Sequence, residues 1–157
     1  MNILFRFIPA ALLALLPAAA AAFHCDVSAT HISFGAYDVF SPSPLDTTGT
    51  ITVECNIKEN EKRPMPVTVA ISKGGSNSFF PRKMQRSGGG APMNYNLYLD
   101  PSRSNIWGDG SNNTSVFTGN VVRNETKILT IYGRIPARQN LAAGAYSDSP
   151  VVVTVSW

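Results

Sequence analysis

Chemistry-bearing residues are scarce in this sequence of 157 residues. Two cysteines, Cys25 and Cys55, and two histidines, His24 and His31, are all it holds of each. The cysteine spacing is not that of a C-x-x-C centre, and no histidine ligands accompany it, so a thiol-metal or redox site lacks its residues. A serine nucleophile would need a G-x-S-x-G elbow, and none occurs. Gly88–Gly89–Gly90 lacks the Gly-Lys-Ser/Thr that completes a phosphate loop and reads as a flexible hairpin connection. Carboxylates are few and scattered, and Asp100, Asp109 and Asp148 stand beside Pro, Gly or Ser, the setting of turn-forming aspartates. His24 beside Asp26 is a weak hint of a base with no nucleophile to serve. No enzyme activity, catalytic residue, metal ligand or cofactor is expected.

Charge of one sign is also lacking. The formal net charge is +3, and removing Arg6 with the leader described below leaves twelve basic against ten acidic residues. That excess is too small to mark a nucleic-acid partner. The densest basic stretch, Arg82–Lys83–Met84–Gln85–Arg86, reads as a solvated loop. After the first residues no apolar run approaches membrane-spanning length, so no membrane insertion is expected.

The one long apolar run stands at the start. Arg6 precedes Phe7–Ile8, Pro9 and the stretch from Ala10 to Leu16, Pro17 breaks it, and Ala18–Ala22 supply small residues. A basic start, a short apolar core and a small-residue exit make a secretory signal peptide, here residues 1–22. The remainder, 23–157, is the size of one domain. Both cysteines lie within it, and two cysteines in an exported chain read as one disulfide, Cys25–Cys55.

What the rest of the sequence has in quantity is period-two alternation. Ile51, Val53, Cys55 and Ile57 alternate with polar residues, Pro66–Ile71 repeats the pattern, and Tyr95–Leu99, Ile128–Tyr132 and Pro150–Trp157 add further strands. Phe23, Cys25 and Val27 share a parity, so both sulfurs point to apolar faces. Gly, Pro, Asn and Ser clusters punctuate these runs, and no stretch keeps a helical period. The pattern predicts an all-β sandwich. The final strand is uncharged and rich in β-branched residues, a composition that pairs with other chains when left at a sheet edge. Two aromatic segments, Phe79–Phe80–Pro81 and Asn105–Ile106–Trp107, are candidates for an exposed contact surface or for caps on the sandwich ends.

Several segments, in order, resemble the spore coat protein U family. They are Cys25–Asp26–Val27–Ser28 with Ile32–Ser33–Phe34–Gly35–Ala36–Tyr37, Thr50–Cys55, Met93–Tyr98, Trp107–Gly110, Ile131–Pro136, and Gly144–Asp148 ahead of the valine strand. That family includes subunits of archaic chaperone–usher pili. The resemblance implies an incomplete immunoglobulin-like β-sandwich that lacks its final strand and leaves a groove beside the C-terminal strand. Val151, Val153, Val155 and Trp157 would flank that groove. The implied partners are a periplasmic pilus chaperone, an outer-membrane usher and a neighbouring pilin subunit that donates a strand, on an extracellular pilus. Few residues separate the expected cleavage point from Cys25, which leads to the expectation of a subunit that accepts a strand without donating one, at or near the tip. The alternative expectation is a stand-alone secreted coat or surface protein of the same fold.

Overall fold

The computed structural model describes residues 24–56, 64–122 and 124–157. The expected leader lies outside these residues, as does Ile57. Among the described residues there are nine strands: β1 (His24–Ala29), β2 (Leu45–Asn56), β3 (Met65–Ile71), β4 (Arg82–Arg86), β5 (Met93–Tyr98), β6 (Phe117–Val121), β7 (Thr126–Ile135), β8 (Tyr146–Ser147) and β9 (Val153–Ser156). They form two sheets, one in the order β1-β2-β7-β5-β4-β8 and the other β6-β3-β9. Every pairing between these strands is antiparallel. The architecture is an immunoglobulin-like all-β sandwich.

The alternation in β2 explains why it is central. Ile51, Val53 and Cys55 are buried on one face while Glu54 and Asn56 are exposed on the other. The strand pairs with β7 from Leu45↔Ile135 to Glu54↔Thr126, and Leu129, Ile131 and Ile135 of β7 are buried with it. Val67, Val69 and Ile71 of β3 face them from the second sheet, in one continuous apolar cluster. Trp107 completes the cluster and satisfies its indole by donating to the Val69 carbonyl at 2.9 Å. Burying each of these large side chains contributes about 1.5–3 kcal/mol.

Among the described residues β1 is an edge strand paired with β2 on one side only, and the disulfide clips it there. Cys25 lies directly opposite Cys55 in the β1–β2 ladder, with Cα atoms 4.1 Å apart and a sulfur–sulfur bond between them. The closed loop spans a sequence separation of 30. Replacing both cysteines by serine is expected to cost roughly 3.5 kcal/mol through the released chain entropy. Urea unfolding with and without reductant checks this, and equal midpoints would refute it.

Two expectations are corrected by the structure. Residues 82–86 are not a solvated loop but β4, paired with β5 on one side and β8 on the other. Arg82 is completely buried. Its guanidinium donates to the carbonyls of Trp107 (2.7 Å), Ser72 (2.8 Å) and Ile71 (3.3 Å) and to Asn96 Oδ1 (2.7 Å). It also stacks over the Phe79 ring, 4.9 Å from the centroid. Burial lowers its pKa to about 10. A charged residue ordinarily signals solvent, but one whose donors all find acceptors serves as a core strut.

The final strand, expected over Pro150–Trp157, is also shorter than the sequence suggests, with only Val153–Ser156 in β9. Tyr146 and Ser147 pair with Arg86 and Gln85 in the first sheet, whereas Val153–Ser156 pair with β3 in the second. Residues 148–152 make the crossing between them.

Candidate functional site: an apolar groove between two flanks of the chain

Beyond β1 the chain leaves the β2 ladder but continues beside it. Thr30 exchanges backbone and side-chain hydrogen bonds with Thr50, and Thr47 Oγ1 donates to the Ser33 carbonyl at 2.9 Å. Tyr37 then fixes the far end: its hydroxyl donates to the Pro136 carbonyl (2.8 Å) and accepts from the Gln139 amide (2.9 Å). Residues 29–40 thus form a fixed wall although most of them belong to no strand.

The opposite wall is Leu141–Val153. Arg86 ties its start by donating through Nε and Nη2 to the Ala143 carbonyl, at 3.0 and 2.8 Å. Asp148 ties its middle. The carboxylate accepts from the Tyr95 hydroxyl and from the Gly75 amide, each at 2.7 Å. Burial, reinforced by that carboxylate, drives the Tyr95 phenol pKa upward, so it remains a neutral donor. Gly74, at φ +70°, leaves the room Asp148 occupies, since a Cβ there would collide with the carboxylate. Ser72 ties the end, donating from its amide to the Val152 carbonyl and accepting from the Val152 amide, both at 2.9 Å.

Between the walls lies a groove of about 1110 Å³. Ile71, Met93, Tyr95, Leu97, Ile131 and Ile135 line its floor. Phe34 packs edge-on to Tyr95, with ring centroids 6.1 Å apart, and rests in the space left by Gly133. Among the described residues no strand pairing joins the two walls, and β9 is an edge with β3 on one side only. The arrangement sets an unpaired strand edge beside a trough whose floor is the apolar core itself. Among the described residues no cluster of three or more His, Cys, Asp or Glu could hold a metal ion, and no helix is long and apolar enough to cross a membrane.

The Spore Coat Protein U domain matches residues 10–154. The chain belongs to this family. A relative, "Protein U" of Myxococcus xanthus, is 27% identical over 131 residues, covering 80% of this chain and 71% of that one. Among solved structures, one chain of the CsuC–CsuE chaperone–tip adhesion subunit pre-assembly complex, from the archaic chaperone–usher Csu pili of Acinetobacter baumannii, superposes with a TM-score of 0.57. It shares 21% identity, and the match covers 87% of this chain but only 40% of the Csu chain's length. At that identity the likeness is one of fold.

The residues singled out by sequence fall in different places on this spore coat protein U domain. Val151 and Val153 line the groove. Val155 lies farther along β9, half-buried against the core opposite Val69, and Trp157 stands past the strand, 52% exposed. The aromatic contact surface does not hold together. Phe79 and Trp107 are buried, Phe79 under the Arg82 guanidinium and Trp107 against Val69, so neither side chain presents to solvent. Ile106 is half-buried, and of the four only Phe80 is exposed. Sequence reasoning did not single out the N-terminal wall. Ile32 and Phe34 share a parity that could have pointed to it, but Gly35–Ala36 ends the alternation before a strand pattern is established.

Proposed function

We propose that this chain is a subunit of an archaic chaperone–usher pilus whose groove accepts a strand supplied by another protein. The observation that carries the proposal is the groove: two backbone walls unpaired with each other over an apolar floor, in a chain of the spore coat protein U family. An extended segment laid between the walls would hydrogen-bond to backbone and seat alternate side chains on the floor, the mode of recognition known as strand addition. In this reading a periplasmic chaperone fills the groove first, an outer-membrane usher receives the complex, and a neighbouring subunit's strand then replaces the chaperone's. The assembled product is a structural or adhesive fibre outside the cell. Placement at the tip would turn on the residues ahead of His24, which lie outside the described ones.

Val153 provides the test, because it lines the groove while its backbone pairs with Ile71. Co-expression with a periplasmic pilus chaperone should yield a one-to-one complex. Val153→Glu, which sets a charge on the apolar groove lining, should weaken that complex by at least about tenfold. Failure of the unaltered chain to form any complex would count against the pilus reading and in favour of a stand-alone coat or surface protein.

A further inference from the structure

We propose that Phe40 and Asp38 form a cation-accepting clamp at the groove, selecting an incoming strand that carries a lysine or arginine where it passes them. The inference rests on the groove being a strand acceptor and adds the chemistry of the strand that fits.

Both residues belong to the groove lining. Phe40 is 88% exposed, more than any other large hydrophobic residue described. Its backbone is nevertheless fixed. The Phe40 amide donates to Asp38 Oδ1 at 2.9 Å, the Ser41 amide donates to the Asp38 carbonyl at 3.2 Å, and Tyr37, just before Asp38, is itself anchored through its hydroxyl to Pro136 and Gln139. Exposed at the groove lining, the ring offers an apolar face to a side chain of whatever strand lies there.

The charges of the lining indicate what kind of partner. It holds two carboxylates, Asp38 and Asp148, one histidine, His31, and no lysine or arginine. Asp148 is already satisfied by Tyr95 and Gly75. Asp38 is exposed, and among the described residues no lysine or arginine forms an ion pair with it. His31 lies seven positions back along the same wall, on the order of 20 Å away if the wall is extended. An aromatic face two residues from an unneutralised carboxylate suits a long basic side chain. The stem packs on the ring, and the head group lies over the ring face and reaches the carboxylate. A glutamate at the same place would meet Asp38 with like charge.

The probes are synthetic peptides of about ten residues, alternating valine and threonine, with lysine, glutamine or glutamate placed at one end or the other. Binding to the purified chain is measured at low and high salt. The expected result is that, at one of the two ends, lysine binds about tenfold tighter than glutamate at low salt, with the difference shrinking at high salt. Asp38→Asn retains an acceptor for the Phe40 amide and should reduce the difference to about twofold or less. Phe40→Ala should weaken the lysine peptide more than the glutamine peptide. Equal binding of all three peptides, or a preference that survives Asp38→Asn, overturns the clamp while leaving the groove reading intact. If no peptide binds the unaltered chain, the groove reading fails and the clamp fails with it.

Discussion

A strand of about ten alternating apolar and polar residues, appended after Trp157 through a flexible turn, is expected to raise the melting temperature by roughly 10–15 °C. The gain comes from covering the groove. Four or five large side chains seated on Ile71, Leu97, Ile131, Ile135 and their neighbours would contribute about 6–12 kcal/mol before ordering costs. Main-chain hydrogen bonds to the two walls add to that, fixing about ten added residues takes most of it back, and a net gain on the order of 4 kcal/mol remains. Register provides a sharp control. Sliding the alternation by one residue turns every apolar side chain outward and every polar one onto the floor. The shifted strand should therefore give almost no stabilisation, although its composition is unchanged. Equal effects from the two registers would mean that the appended segment does not sit in the groove, and the strand-acceptor reading would fall.

Arg82→Met should destabilise the domain by about 3–5 kcal/mol, read from the urea midpoint at constant slope. Methionine fills much of the volume but donates nothing. It would strip the guanidinium's donors from the carbonyls of Trp107, Ser72 and Ile71 and from Asn96 Oδ1, which keeps the Leu97 amide, and each buried acceptor left without a donor costs about 1–3 kcal/mol. Relief from burying a cation offsets only part of this. Arg82→Lys keeps a charge and some donors but not the planar fork, so it should lie between methionine and the parent. The effect should also reach the groove. Arg82 holds the Ser72 carbonyl, and Ser72 holds both backbone groups of Val152 in the C-terminal wall. Arg82→Met should accordingly reduce the stabilisation gained from the appended strand. A methionine variant as stable as the parent would show that Arg82 is not the strut its hydrogen bonds indicate.

These two predictions draw on different levels of description. The appended strand follows from alternation, which is a property of neighbouring residues. In β2 the residues Ile51, Val53 and Cys55 announce their inward face, and in β9 the residues Val153 and Val155 do the same. Strands β3, β5 and β7 were visible for the same reason, with boundaries shifted by a few residues. Strand β6 was not, since Gly119 leaves its middle without a side chain and Phe117–Val121 shows little alternation. Arg82 lay hidden because its neutralising partners are main-chain carbonyls and an amide far away along the chain. No local pattern records that a carbonyl will be waiting for a guanidinium.

The groove was anticipated only through the family resemblance, which put it beside the C-terminal strand. Val151 and Val153 line it, but half of the trough is built from Ala29–Phe40, a segment with no strand pattern beyond Ile32 and Phe34. That wall is fixed by hydrogen bonds over long sequence separations, such as Tyr37 to Pro136 and Thr47 to Ser33. Likewise Phe79, Phe80, Ile106 and Trp107 looked equivalent as aromatic or apolar loop residues, yet packing buries Phe79 and Trp107 and leaves Phe80 in water.

By itself the sequence determined the all-β class, the principal strands with their inward faces, and the pairing of Cys25 with Cys55. All of these depend on short-range periodicity or on there being one possible partner. Tertiary structure decided that Arg82 belongs to the core, that the last strand is cut short to Val153–Ser156, and that a groove is left between Ala29–Phe40 and Leu141–Val153. Those outcomes depend on which distant groups meet, and the free energy of such meetings is not written in any local stretch of residues.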